Sequence, residues 1–476
     1  MDGLEAVETK FSKLERTRRV DSEFFLKEYV ASEKALLTKA VKSVPQVAKT
    51  SDGNHLKISN SFTDDGVPYY RGQDANHFFI EQSEPVQIEE AVYRSANMKR
   101  SHLKSGDVLL SIVGTIGGVS LVSTNQPATC SCKLAILRPQ TVKPGYLAAY
   151  LHSKYGQYQI KRFTRGAVQM GLILEDLDQI FVSQQSSDFE TVVETIVQKS
   201  KTTLDESQRL HQEAENILLE HLGLKDWQPS EAGVSVKSFA ESFGTSARLD
   251  AEHYQPKYDE LISAIKANAP YCKQIKEFRS YNARGLQPEY VTDGQLAVIN
   301  SRHILEQHLD YENFEKTDAV AWQRQLKARV FENDILIYTT GANIGRTNVY
   351  LKSQRALASN HVNILRVEDV DPIYTGFVIN SVIGRLQTEK LSAGSAQAEL
   401  YPKDIDEFLI PFIDEKAQQQ IVLQLKASLE AKEQTQQLLD LAKRGVELAI
   451  EESEAAALAW IEAQLAELGV DFSTAE

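Results

Sequence analysis

The sequence predicts an α+β protein: two tandem globular domains, each followed by a long helix, with the two helices forming an antiparallel coiled coil of pseudo-two-fold symmetry. Three observations predict it. The chain repeats itself in one register over most of its 476 residues. Each copy carries short β-rich runs ended by glycines ahead of a helical stretch. Each copy then closes with a long helical pattern that contains no proline.

The repeat comes first, because it decides the architecture. Arg19-Val20-Asp21-Ser22-Glu23-Phe24-Phe25 matches Arg248-Leu249-Asp250-Ala251-Glu252-His253-Tyr254. Gly106-Asp107-Val108-Leu109-Leu110 matches Asn333-Asp334-Ile335-Leu336-Ile337, and Ile136-Leu137-Arg138 matches Ile364-Leu365-Arg366. Gly114-Thr115-Ile116-Gly117 matches Gly341–Gly345 with one inserted residue. From Gly117 onward the offset is a constant 228 and carries Gly156, Gly166, Gln169, Asp176 and Asp178 onto Gly384, Gly394, Gln397, Asp404 and Asp406. It continues into the helices, where Leu210 and Ala214 match Leu438 and Ala442.

Each copy has the same order of elements. A short helical lead holds the R-x-D-x-E motif. The runs SGDVLLSIVG and ENDILIYTTG read as strands, and Gly145–Lys161 and Tyr374–Lys390 read as helical. Short apolar strands follow at Gln179–Val182 and Glu407–Ile410, and Ser186 and Asp414 are suitable N-caps for the long helices. The first long helix closes at Gly223, a fitting C′ residue. Its inner positions Val193, Ile196, Thr203, Leu210, Ala214 and Ile217 keep seven-residue spacing. Leu425, Leu429, Leu438, Leu439, Ala442, Val446 and Ile450 form the stripe of the second. Helices roughly 50 Å long, at about 1.5 Å per residue, need a partner of similar length for such a stripe. Leu458, Ile461, Leu465 and Leu468 predict a short amphipathic tail helix.

Composition bounds the function classes. Hydrophobic residues are 42% and charged residues 25%, the balance of a globular protein. No apolar run approaches the roughly 18 residues of a membrane span, and the polar, acidic start predicts no secretory signal. Three cysteines suit a reducing, cytoplasmic setting, and Cys130-x-Cys132 lacks a second ligand pair at zinc spacing. The net charge of −14 is uneven. Residues 1–185 hold 23 Lys and Arg against 20 Asp and Glu, whereas 186–233 hold 4 against 10 and 413–476 hold 5 against 13. The acidity therefore belongs to the helices, and the near-neutral globular parts are free to present a local basic face.

Catalytic signatures are missing. Asp371-Pro372-Ile373-Tyr374 approaches the D-P-P-Y motif of amino-methyltransferases, but its counterpart is Lys143-Pro144-Gly145-Tyr146 and no F-x-G-x-G loop accompanies it. Proline and an aromatic residue at a helix start are structural in both. Gly114–Gly118 lacks the Gly-Lys-Ser/Thr ending of a phosphate loop, and neither an HExxH nor a G-x-S-x-G motif occurs. The sequence thus points to a binding protein with two heads and no cofactor of its own.

Two similar heads related by a two-fold suit double-stranded DNA, which shares that local symmetry. Here the residues carry a resemblance. The G-D-V-L-L-S-x-x-G-x-I-G run at Gly106–Gly117, its partner at Asn333–Gly345, the Gly-x-x-Gln turns at Gly166–Gln169 and Gly394–Gln397, and the long helix after each domain recur in order. Over roughly residues 11 to 450 the chain resembles the specificity subunit of type I restriction–modification systems. That resemblance implies target-recognition domains at 1–185 and 234–412, spacer helices at 186–223 and 413–452, a linker at 224–233 and a tail helix at 453–476. It implies a non-catalytic subunit whose domains each read half of a bipartite DNA target. Two methyltransferase subunits carrying S-adenosylmethionine would dock on the helices and conserved regions, and motor and nuclease subunits would join them. A two-headed protein-binding scaffold without DNA recognition is the alternative.

Base reading needs Arg, Lys, Asn or Gln on a rigid support, because bidentate donors match G and A edges in the major groove. Val67–Asp74 matches Leu296–His303, each a strand followed by a polar turn, which nominates Arg71, Gln73, Asn300, Arg302 and His303, with an ordinary solvated turn as the alternative. Lys99, Arg100, Lys104, Lys161, Arg162 and Arg165, with Arg324, Lys327 and Arg329, suit phosphate contacts or a merely solvated face. Arg19, Asp21 and Glu23, with Arg248, Asp250 and Glu252, read as a buried structural Arg–carboxylate tie between domain and helix rather than as a catalytic carboxylate pair.

Overall fold

The computed structural model describes residues 7–12, 14, 19–166, 171–231, 234–246, 248–392 and 398–470. Gln169, Gly394 and Gln397, expected in the Gly-x-x-Gln turns, lie outside them. The chain forms two compact units: Met1–Asp205 with Ala431–Glu476, and Glu206–Glu430. The division falls inside both long helices, Ser187–His221 and Glu415–Glu451. Each unit therefore takes part of each helix.

The first unit holds, in chain order, β1 (Val41–Ser43), β2 (Ala48–Asp52), β3 (Phe62–Thr63), β4 (Val67–Tyr70), β5 (Val86–Ile88), β6 (Val108–Ser111), β7 (Val119–Leu121), β8 (Thr129–Cys130), β9 (Leu134–Pro139) and β10 (Phe181–Ser183). One sheet has the antiparallel order β2-β9-β6-β7; the other has the order β3-β5-β4-β8, with β4 and β8 parallel. β1 and β10 form a separate ribbon. Both faces of β6 are buried, which is why its sequence is an unbroken apolar run. Val108 and Leu110 meet a core built from helix Pro144–His152, the start of the first long helix, the end of the second and the tail helix Glu454–Glu467. Leu109 turns to a smaller core with Tyr70, Cys130 and Ile136.

The second unit repeats this plan with β11 (Tyr271–Gln274), β12 (Arg279–Arg284), β13 (Leu296–Ile299), β14 (Glu315–Thr317), β15 (Arg329–Val330), β16 (Ile335–Tyr338), β17 (Thr347–Val349), β18 (Ala356–Ala358), β19 (Val362–Val367) and β20 (Leu409–Phe412). Its sheets are β12-β19-β16-β17 and β14-β13-β18-β15, again with one parallel pair, β13 and β18, and β11 pairs with β20. Where β15 pairs with β18, the first unit has the single antiparallel bridge His102–Thr129. The fold is α+β, as the sequence predicts, and the internal repeat is a repeat of topology.

Three local differences from the sequence reading have physical causes. Each helical stretch is two helices, Pro144–His152 with Lys154–Phe163 and Pro372–Asn380 with Val382–Leu391. Ser153 and Ser381 are extended and N-cap the second helix, accepting from Gly156 N–H and Ile383 N–H. Gly156 and Gly384 are required at this corner: a Cβ would lie 2.5 Å from Tyr150 O and 1.9 Å from Ile379 O. The late strands begin two residues further on, at Phe181 and Leu409, because Leu174–Gln179 and Pro402–Ile405 form short helices first.

The third difference lies along the long helices. Leu210, Ile217 and Leu429 are only half-buried, while Ser200, Ser207, Ser428 and Thr435, outside the expected stripe, are buried; Thr203 is buried within it. Within the second unit Ser207 Oγ donates to Ser428 O (2.7 Å), Ser428 Oγ donates to Ser207 O (2.8 Å), and Gln424 Nε2 donates to Glu213 (3.0 Å). His221 and Asp414 meet at 3.0 Å. Rising numbers on one helix meet falling numbers on the other, so the pairing is antiparallel. Within the first unit Thr435 Oγ1 donates to Ser200 O at 3.4 Å, and Ser186 N–H donates to Glu454 at the start of the tail helix. Small hydroxyl residues let the backbones approach and bond across, which a strict apolar seam would prevent. Ser186 Oγ and Asp414 Oδ1 accept from Phe189 N–H and Ala417 N–H, as N-caps do, and Gly223 has φ +64°.

Candidate nucleic-acid interface

In each unit the two parallel strands end at the same sheet edge, and their following loops lie side by side. In the first unit the turn Arg71–Asp74 follows β4 and the loop Ser131–Lys133 follows β8. Ser131 N–H donates to Tyr70 O at 2.9 Å. The glycine loop after β6 closes over them, its Thr115 hydroxyl donating to Gly72 O at 2.6 Å. In the second unit Ser359 N–H donates to Ile299 O at 3.0 Å. The repeated glycines Gly117 and Gly345 have φ +88° and +89°, a conformation open to glycine.

This edge sorts the base-reading candidates. Arg71 N–H donates to Asp74 at 2.7 Å, and Asn300 N–H donates to His303 Nδ1 at 3.0 Å. Asp74 and His303 therefore perform one task at equivalent positions, holding the turn from inside. His303 is 1% exposed. Burial first, and the Arg302 charge second, hold its pKa below the ordinary value, which keeps the ring neutral and able to accept. His303 is thus a correction: it supports the turn and presents no edge to a base. Gln73 is exposed and hydrogen-bonds to no described residue. Arg71 also ties its Nε to Asp74 at 3.3 Å, Asn300 accepts from Tyr290 OH at 2.8 Å, and exposed Arg302 pairs with Glu315.

The phosphate candidates divide too. Arg162 is 5% exposed; its Nε donates to Phe24 O at 2.9 Å, its Nη1 meets Glu33 at 3.1 Å, and its guanidinium lies 4.3 Å from the Phe24 ring centre. A buried, fully engaged cation cannot reach a phosphate, so Arg162 is structural. Arg100 pairs with Asp52, and Arg165 pairs with Asp176. Lys99, Lys104, Lys161, Arg324 and Lys327 are exposed and pair with no carboxylate among the described residues. Arg329 donates to Trp322 O at 2.8 Å, and the Trp322 ring carries both Arg329, at 4.8 Å, and Arg355, at 5.3 Å. Arg355 escapes sequence reasoning because it sits in a loop far from the cluster.

The structural set is a tie at a helix C-terminus, and its aspartates are exposed rather than buried as expected, at 42% for Asp21 and 39% for Asp250. Arg19 is held by Asp21 at 2.8 Å and donates its Nη1 to Arg162 O (3.0 Å) and Thr164 O (3.1 Å), the free carbonyls ending helix Lys154–Phe163. Arg248 is held by Asp250 and reaches Leu391 O at 3.4 Å, at the end of helix Val382–Leu391. Glu23 and Glu252 are exposed and stand outside the tie, a correction to the reading of a three-residue motif. Asp371 N-caps its helix, donated to by Ile373 N–H and Tyr374 N–H, and Tyr374 OH donates to Pro411 O as Tyr146 OH does to Ser183 O. That constellation is structural in both copies.

Among the described residues no group of three His, Cys, Asp or Glu could hold a metal ion, and no helix is long and apolar enough to cross a membrane. Burial pushes the Cys130 thiol up and away from reactivity.

No protein-family model matches the sequence, and no curated protein matches it significantly. Solved structures similar in outline include the type I restriction–modification S subunit from M. genitalium, at 9% identity, covering 87% of this chain and 95% of that one, with a TM-score of 0.41. The HsdS subunit from Thermoanaerobacter tengcongensis matches at 14% identity, 87% and 97% coverage and a TM-score of 0.29. A chain from a structure of type I R-M complex assembly and conformational transition matches at 15% identity, 90% and 96% coverage and a TM-score of 0.27.

Proposed function

We propose that this chain is the DNA specificity subunit of a type I restriction–modification complex. Each unit reads one half of a bipartite double-stranded target. The long helices, as an antiparallel coiled coil, set the gap between the halves and dock two methyltransferase subunits, on which S-adenosylmethionine is bound; motor and nuclease subunits complete the assembly. The chain itself carries out no chemistry.

The observation that carries the reading is the division between framework and edge. The framework contacts are duplicated: Asp107 with Arg138 and Asp334 with Arg366, Arg19 with the Arg162 carbonyl and Arg248 with the Leu391 carbonyl. The side chains at the equivalent loop edge are not: half-buried Arg71 and exposed Gln73 stand where half-buried Asn300 and exposed Arg302 stand in the other copy. Two equal supports with unequal polar tips suit two different half-sites. Exposed Lys99, Lys104, Lys161, Arg324 and Lys327 supply backbone attraction despite the net negative charge, since phosphate binding follows local potential.

The test is selection on a random duplex pool, using the full chain with the methyltransferase encoded beside it. Two short sequence blocks at a fixed gap are expected. No enrichment at low salt would remove the DNA reading and leave the acidic helices and paired heads to protein partners.

A further inference from the structure

The geometry points to a second reading loop in each unit, Ser131-Cys132-Lys133 and Ser359-Asn360-His361, whose last two residues contact base edges beside the turns Arg71–Asp74 and Asn300–His303. This rests on the DNA reading above and names further residues that determine specificity.

Three observations carry it. First, the loops are equivalent by position: both follow the parallel strand, β8 or β18, and the repeat offset of 228 carries one onto the other. Second, each is pinned by the same bond. The serine N–H donates to the last carbonyl of the neighbouring strand, Tyr70 O or Ile299 O. That bond sets each loop beside its turn, and a Cβ at Gly72 would lie 3.3 Å from Lys133 Cβ. Third, the residues after the shared serine differ in hydrogen-bonding character. Lys133 is an exposed donor with no carboxylate partner among the described residues, whereas His361 is an exposed imidazole with the half-buried Asn360 amide 3.5 Å from its Nε2.

The chemistry follows. An amide matches an adenine edge, a lysine ammonium matches guanine O6 and N7, and an imidazole donates or accepts singly. A pinned loop with exchangeable tips varies in specificity without disturbing the sheet.

The experiment uses the full chain with its methyltransferase and a random duplex pool. Cys132→Asn with Lys133→His gives the first loop the second loop's residues. This is expected to change bases within one block only, leaving the other block and the gap intact. Lys133→Gln, an exposed change that the fold tolerates, is expected to lower preference at the same positions by roughly 5- to 150-fold. Unfolding midpoints equal to the wild type's exclude loss of folding. If both variants select the unaltered wild-type sequence, the loop does not read DNA, although the subunit does. If the wild-type chain enriches nothing at low salt, the DNA reading itself is overturned and this inference falls with it.

Discussion

Arg138 and Asp107 meet through two parallel hydrogen bonds of 2.7 Å each, with the Asp107 side chain 1% exposed, and Arg366 and Asp334 repeat the fork at 2.6 and 2.9 Å. Each aspartate also accepts a backbone N–H from the turn before its strand, from Lys104 or Phe331. One buried carboxylate thus ties the start of the central strand, the preceding turn and the neighbouring strand. This explains why the Asp of G-D-V-L-L and the Arg of I-L-R recur together. Asp107→Ala and Asp334→Ala are each expected to lower stability by roughly 1.5–3 kcal/mol, the range for bonds to charged groups. Urea unfolding of each variant checks this; losses under about 0.5 kcal/mol would show the fork to be incidental.

The Arg19–Asp21 and Arg248–Asp250 ties predict an acid response. Hydrogen bonding from the arginine is the leading cause that holds both aspartates below the ordinary value of 3.8. A folded-state pKa below the unfolded one contributes stability that is present above pH 3.8 and lost as pH falls through the folded value. Asp21→Asn is therefore expected to melt below the wild type at neutral pH, with the gap closing in acid. A gap independent of pH, followed by thermal unfolding, would contradict the tie.

Ser207 and Ser428 exchange hydroxyl-to-carbonyl bonds where the long helices cross in the second unit. Ser207→Ala is expected to cost about 1 kcal/mol, and Ser207→Leu about 1–3 kcal/mol through overpacking. Denaturant midpoints for the two variants check the order; a stabilised leucine variant would show the approach to be loose.

Gly384→Ala is expected to destabilise by about 1–3 kcal/mol, because the new Cβ would overlap Ile379 O at 1.9 Å, which is backbone and cannot turn aside. Gly156→Ala behaves alike at Tyr150 O. Ser381→Ala, which removes only the cap, is expected to cost about 1 kcal/mol. Calorimetry of the three variants distinguishes crowding from capping.

Arg324→Ala with Lys327→Ala is expected to weaken duplex binding similarly for all sequences and to reduce the salt slope by about 2, near 0.9 for each phosphate left without its cation. Gln73→Ala and Arg302→Ala are expected to alter which bases are preferred while leaving the slope little changed. Binding titrations across salt concentrations, on selected and scrambled duplexes, separate the two classes. A slope unmoved by the double substitution would place the backbone contacts elsewhere.

The sequence by itself determined the duplicated α+β plan, the long helices with their caps and the arginine–aspartate ties. It could do so because those features are written in spacing: one register of 228, glycines at corners, a seven-residue apolar period. Only the tertiary structure decided which polar residues remain available. Arg162 is taken up by Phe24 and Glu33, and His303 by the inside of its turn, whereas Lys133 and Arg355 are brought to positions that no local pattern marks. Periodicity reports which face a residue shares with its neighbours in the chain. Whether Arg162 meets its partners depends on Phe24 and Glu33, more than a hundred positions away, and that proximity exists only once the domain has folded.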